Sequence, residues 1–341
     1  MLLPLAWMYG GAIRLRNFLY NKGWLRTFHF DFPVILVGNL STGGSGKTPH
    51  IEYLIRMLRL QYKITTLSRG YKRIYRGFGL ATERSLVEDI GDEPKLYKQK
   101  YPDIEVAVSE DRVGGIYLLL QDAPDTQVIL MDDGFQHRRI TAGFNILLTT
   151  FSQPFFSDHL LPVGRLREHR NNARRAQVVV ITKCPSDISA DARKTFEYAI
   201  KKYTSAPVFF TTYRYTAMRP LFADQPVTTA DGQKAAVLLT GIAESAEVMQ
   251  YLKTQHIGIS LMAFSDHHYF TASDIARVAA QAQPSGIVIT TEKDAMRLME
   301  ARAEIESHAL SIFVQPIEVA FLGNEEEFDQ LVQEYIEKSR L

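Results

Sequence analysis

Apolar positions along this chain follow two alternating periods. Pro33-Val-Ile-Leu-Val37, Tyr62–Leu67, Ile104–Val108, Val128–Met131, Phe144–Leu148 and Gln177–Thr182 are short apolar runs with the length and composition of buried strands. Between them apolar residues recur at helical spacing, as in His50, Ile51, Tyr53, Leu54, Met57 and Leu58, and again in the segment ending at Leu120. Strands alternating with helices predict an α/β fold built on a parallel sheet. The pattern changes at two extended β-rich runs, Pro207–Tyr215 and Ser311–Phe321. They flank a compact α/β block with strand patterns at Ala235–Thr240, Gly258–Phe264 and Ile287–Thr290. The simplest arrangement is a first domain over residues 1–206 and a smaller inserted α/β domain with its two-stranded linker over 207–322. An acidic helix over 323–341 then packs back on the first domain.

The N-terminus carries its own pattern. Leu5, Met8, Ala12, Leu15 and Leu19 form one apolar helical stripe, joined by Trp7, Tyr9, Phe18, Tyr20 and Trp24 and by Arg14, Arg16, Lys22 and Arg26. The positive charge follows the apolar run, the reverse of a secretory signal. Attachment to a membrane surface and packing on the domain both account for the stripe.

Composition narrows the classes. The 341 residues are 46% hydrophobic, enough for two cored domains, and the net charge of +1 gives no general pull toward nucleic acid. The single cysteine, Cys184, excludes an internal disulfide framework and suits a structural thiol. No apolar run reaches the length of about 18 residues that a membrane span needs.

The chemistry gathers where strands end. Val34–Val37 runs into Gly38-Asn-Leu-Ser-Thr-Gly-Gly-Ser-Gly-Lys-Thr48 and then a helix, the order of a phosphate-binding loop. Ser41, Thr42, Gly43, Gly44, Ser45 and Gly46 would wrap the phosphates, Lys47 would reach the β- and γ-phosphates, and the Thr48 hydroxyl would ligate Mg²⁺. Ser41 stands where such loops usually have their first glycine. Asp132 and Asp133 close an apolar strand, the pattern of a Walker B element that serves the metal. Thr182-Lys183-Cys184-Pro185 lacks the Asn and spaced Asp of a guanine reader, so adenine is the expected base. Asp92 in Gly91-Asp-Glu-Pro94 stands at a helix start, where a cap alone would explain it. Asp266-His267-His268 is read as a catalytic histidine or as capping and packing, with a metal site ranked last because adjacent residues on an extended segment face opposite ways. A switch-type P-loop ATPase and a nucleotide-binding scaffold without turnover are the rival readings. Against the first, Thr42 stands where such switches carry a signature lysine.

These segments, with Ser68-Arg-Gly-Tyr71, Asp132-Asp-Gly-Phe-Gln-His137, Leu161-Pro-Val-Gly-Arg-Leu-Arg-Glu168 and Thr291-Glu-Lys-Asp294, occur in the order that resembles the tetraacyldisaccharide 4′-kinases of lipid A biosynthesis. The resemblance implies a P-loop NTPase-type α/β/α domain and a smaller α/β/α domain joined by a two-stranded β linker. It implies an ATP- and Mg²⁺-dependent enzyme at the cytoplasmic face of the inner membrane of Gram-negative bacteria. Its substrate would be an acylated glucosamine disaccharide 1-phosphate, phosphorylated at the 4′-hydroxyl to give lipid IVA, with no nucleic acid and no obligatory protein partner. Carried over by motif, Lys47 and Thr48 serve the triphosphate, Asp132 and Asp133 serve the metal with Glu168 nearby, and Arg112 steadies the phosphates. Asp92 becomes the general base, paired with His268 in preference to His267. Arg69, Lys72 and Arg73 are assigned to the substrate's 1-phosphate. His169 departs from the proline expected after Glu168.

Overall fold

The computed structural model describes residues 3–224, 235–241, 245–255, 258–283 and 285–340. In chain order the first part comprises α1 (Leu3–Asn21), β1 (Val34–Asn39), α2 (Lys47–Leu58), β2 (Ile64–Ser68), β3 (Gly79–Leu80), α3 (Val87–Ile90), α4 (Asp92–Lys100), β4 (Glu105–Val108), α5 (Arg112–Asp122), β5 (Val128–Asp132), β6 (Phe144–Thr150), β7 (Val178–Thr182) and α6 (Ala190–Lys201). Then follow β8 (Val208–Tyr215), β9 (Arg219–Pro220), β10 (Ala236–Thr240), α7 (Ala246–Thr254), β11 (Ile259–Ala263), α8 (Ala272–Ala282), β12 (Ile287–Thr291), α9 (Glu292–Leu298), α10 (Arg302–Ser307), β13 (Ser311–Gln315), β14 (Ile317–Phe321) and α11 (Glu325–Lys338).

Among the described residues the strands form two sheets, ordered β14-β8-β7-β6-β1-β5-β2-β4-β3 and β11-β10-β12-β13-β9. β1 is parallel to both neighbours, β5 and β6, and all six of its residues are buried. That is why Val34–Val37 reads as an unbroken apolar run: a central parallel strand is covered on both faces. Alternation then divides the core. Ile35, Val37, Val128 and Leu130 face one way, toward α2 and α11, while Val34, Leu36, Ile129 and Met131 face α5. The second sheet is likewise covered on both faces, by α8–α10 on one and α7 on the other.

The expected linker strands are present, but they are part of the first sheet. β14 pairs antiparallel with β8 along its edge, with Ile317 opposite Tyr215 and Phe321 opposite Thr211. Ser311–Phe321 is not one strand. It breaks at Pro316, which has no N–H for a ladder, and the half before it, β13, joins the second sheet between β12 and β9.

The helix α4 belongs to both halves. Tyr97 lies in the core of the first sheet, whereas Leu96 and the neighbouring Val87 lie in the core of the second. The terminal helix α11 returns to the first sheet through Phe328, Val332 and Ile336, and Tyr335 Oη accepts from Val34 N–H at 3.0 Å. Phe328 is 2% exposed against Phe209, Phe321 and Tyr53. Phe328→Ala is therefore expected to lower stability by about 3–5 kcal/mol, read from the urea midpoint at unchanged slope.

Candidate active site

The loop between β1 and α2 is shaped by two left-handed glycines, Gly43 at φ 103° and Gly46 at φ 84°. Gly46 caps α2 from a conformation that L-residues rarely adopt, and the Tyr213 hydroxyl leaves no room for a Cβ there. Arg165 and Arg167 come from the segment that runs alongside. Thr42 N–H donates to Arg165 O at 2.8 Å, and Ser41 bridges to Leu166. The substitution of serine for the usual first glycine is thus accommodated by extended pairing rather than a turn.

At the end of β5 the two acids have different surroundings. Asp133, held at φ 48°, meets Arg167 Nη2 at 3.1 Å and Lys47 Nζ at 3.7 Å. Burial disfavours its charge, but these two cations outweigh burial and lower its pKa. Asp132 accepts from Tyr97 Oη at 2.9 Å through Oδ2, while its Oδ1 is buried with no hydrogen-bond partner among the described residues. Burial, with the charges of Glu93 and Asp133 adding to it, raises its carboxyl to about 6 against the pull of Lys47. Arg112 is buried over this pair and donates to Ser109 O at 2.5 Å. Desolvation pushes its guanidinium down to about 10, opposed by Asp132 and Asp133.

Asp92 is the first residue of α4, and Gly91 occupies the cap position at φ 93°. The capping explanation for Asp92 therefore does not apply, and its side chain points across to the second sheet. His267 Nδ1 lies 2.6 Å from Asp92 Oδ2, and Arg297 Nη1 donates to the same oxygen. His267 sits at φ 58° and its ring is 5.1 Å from that of Tyr71. Next to it, Lys293 Nζ meets Glu93 at 2.7 Å. Burial works against ionisation of Glu93, but this ammonium holds its carboxyl down at about 2.

Three sequence expectations change here. The histidine at Asp92 is His267, not His268. His268 Nε2 instead meets Asp274 Oδ2 at 2.9 Å and stacks on Phe264, the capping and packing role. Glu168 does not join Asp132 and Asp133: it is fully buried between Arg175 and Arg16, the latter at 2.7 Å, and anchors α1. A fully buried carboxylate needs such cations, and two arginines already take both its oxygens. Within the basic patch, Arg73 is committed to Glu110 at 2.8 Å and Lys72 donates to Asp266 O at 3.3 Å. Cys184 is buried, and its thiol is pushed up to about 12 by desolvation, in keeping with a structural role. The sequence reading missed Tyr97 and Arg297. The one available signal for the latter was Thr291, Asp294 and Arg297 at three-residue spacing on one helix face.

A glycine loop at a helix N-terminus, a lysine and paired acids at the end of a neighbouring strand, and a carboxylate held by an imidazole define a P-loop phosphotransferase. The family described as tetraacyldisaccharide-1-P 4′-kinase matches residues 1–337. A tetraacyldisaccharide 4′-kinase of Phocaeicola vulgatus is 43% identical over 99% of this chain and 95% of its own length. That of Flavobacterium johnsoniae is 42% identical over 99% and 97%. The crystal structure of LpxK from Aquifex aeolicus in complex with ATP superposes with a TM-score of 0.77 at 30% identity, covering 98% of each chain. The chain belongs to the tetraacyldisaccharide 4′-kinase family and is a kinase.

The His267 contact gives a pH signature. Its hydrogen bond to Asp92, opposed by burial and aided by the charges of Asp92, Asp266 and Glu93, raises its pKa above 6.5. A raised folded-state pKa stabilises the protein fully below the unfolded value and loses that contribution as pH rises through the folded one. The melting temperature of wild type should exceed that of His267→Gln by a few degrees near about pH 6, and the gap should shrink toward about pH 9. A gap that stays constant across this range contradicts the assignment.

Proposed function

We propose that this chain transfers the γ-phosphoryl group of ATP to the 4′-hydroxyl of a tetraacyldisaccharide 1-phosphate, with Asp92 as the general base. The observation that carries the reading is the position of Asp92 on α4, the helix whose Tyr97 holds the metal-type acid Asp132. Asp92 on α4 is thereby tied, through Tyr97 of the same helix, to Asp132 at the end of β5.

Mg²⁺ fits the residues present. Asp132 Oδ1 is a buried oxygen without a hydrogen-bond partner among the described residues, and Thr48 is buried at the start of α2. Among the described residues no group of three or more His, Cys, Asp or Glu forms a cage, as suits an ion held by one or two protein groups and substrate phosphates. Thr48 and Asp132 would hold it, and its charge would neutralise the phosphate oxygens. Asp133 keeps Lys47 and Arg167 at the edge of the loop, where both can turn to the phosphates. Asp92 accepts the proton of the attacking hydroxyl, and His267 stabilises and orients that carboxylate. Arg112 faces the same acids and adds positive charge where the transferred group passes.

The substrate class also accounts for α1. The helix seats on the first domain through Ala6, Gly10 and Asn17, with Gly10 so close that a Cβ would lie 2.9 Å from Leu160. Tyr9 Oη donates to Arg167 O, and Arg16 pairs with Glu168. Leu5, Trp7, Met8, Leu15, Phe18 and Trp24 are left exposed. The small residues face the protein and the large apolar ones face outward, which suits a helix lying in a membrane interface. No helix among the described residues is long and apolar enough to cross a membrane. We assign the chain to the cytoplasmic face of the inner membrane, where ATP and the acylated acceptor meet.

With γ-labelled Mg²⁺-ATP and the tetraacylated disaccharide 1-phosphate in detergent micelles, wild type should move label to the lipid. Lys47→Ala should lower the rate by at least about 100-fold. Hydrolysis of ATP with no label on lipid contradicts the proposal.

A further inference from the structure

Arg297 lies buried at the seam between the two sheets, and its guanidinium donates to Asp92 Oδ2 through Nη1 and to Asp294 Oδ1 through Nη2. Asp294 is itself fully buried. Its Oδ2 accepts from Thr291 Oγ1 at 2.8 Å and from Thr240 Oγ1 at 3.2 Å, hydroxyls at the ends of β12 and β10. Two strand ends thus fix a carboxylate, the carboxylate aims a guanidinium, and the guanidinium grips Asp92. His267 Nδ1 approaches the same Asp92 Oδ2. Two donors from the second sheet converge on one oxygen, so the carboxylate cannot rotate freely and Oδ1 is the oxygen left for the cleft.

We propose that Arg297 is a positioning residue for phosphoryl transfer, locking the Asp92 carboxylate so that Oδ1 meets the acceptor hydroxyl. The inference rests on Asp92 being the base. A lysine at this position keeps the charge but offers one point donor in place of a planar fork, and so cannot hold Asp92 and Asp294 in a fixed relation. Displacing a reacting group by about 1 Å can cost about 100-fold in rate. A contact that merely fastens the two halves would behave differently, and the structure supplies one for comparison. Val87 N–H donates to Glu300 Oε1 at 2.8 Å across the same seam, through groups other than Asp92.

The test compares kcat and KM for Arg297→Lys, Asp92→Asn, the double variant and Glu300→Ala, which removes the acceptor of Val87 N–H, using γ-labelled ATP and the acylated acceptor in micelles. Arg297→Lys is expected to lower kcat about 10- to 100-fold, with the KM for ATP within about twofold of wild type. In the Asp92→Asn background the same change should cost less than about twofold, because there is no longer a base to position. Glu300→Ala should leave kcat within about twofold. Equal losses in both backgrounds overturn the proposal, as does a Glu300→Ala loss matching that of Arg297→Lys. Should Arg297→Lys fail to fold, Asp294→Asn takes its place in the cycle. It keeps the guanidinium while loosening its anchor, and the same two results decide. Full activity of Asp92→Asn on its own would instead remove the base assignment, a result separable from any effect of Arg297.

Discussion

Four carboxylates crowd the nucleotide end of this molecule, and matching their charge is the constraint on which the rest depends. Asp92 and Asp132 are buried and Glu93 and Asp133 partly so, and such a cluster cannot stand bare, since an unpaired charge in a protein interior is strongly destabilising. Asp133 is matched by Lys47 and Arg167, Asp132 by the Tyr97 hydroxyl and a raised pKa, Glu93 by Lys293, and Asp92 by His267 and Arg297. Lys293, His267 and Arg297 all come from the second sheet. The smaller unit is therefore part of the electrostatics of the site.

The same division appears in the packing. α4 gives Tyr97 to one core and Leu96 to the other, so the helix that carries Asp92 cannot shift without disturbing both. Lys100, its last residue, pairs with Glu52 on the phosphate-loop helix and with Glu292 at the start of α9. Apolar packing, ion pairs and Asp92 all run through one short helix. A movement of the second sheet would loosen the grip on Asp92 and the Glu292–Lys100–Glu52 contacts to the phosphate-loop helix together.

Much of this was legible in the chain. Central parallel strands announce themselves as apolar runs, and a glycine loop between strand and helix announces a phosphate site. What stayed hidden depended on contacts distant in sequence. Adjacent histidines look alike in one dimension, and the φ of 58° that turns His267 toward Asp92 exists only in the folded loop. Glu168 lies in an arginine-rich segment that does line the phosphate loop, yet its own side chain turns the other way to hold α1. Ser311–Phe321 has strand character throughout, and only the second sheet's demand for an edge partner reveals why it divides at Pro316. Arg297 looked like an ordinary helix residue because both of its partners had to be placed first.

The most direct test of this account is a single-turnover measurement of phosphoryl transfer by Asp92→Asn with ATP already bound. The account predicts ATP affinity within about threefold of wild type and a transfer rate at least about 100-fold lower, the share expected of a general base. A wild-type transfer rate, or a loss confined to ATP binding, would mean that the carboxylate gripped by the second sheet is not the group that takes the proton.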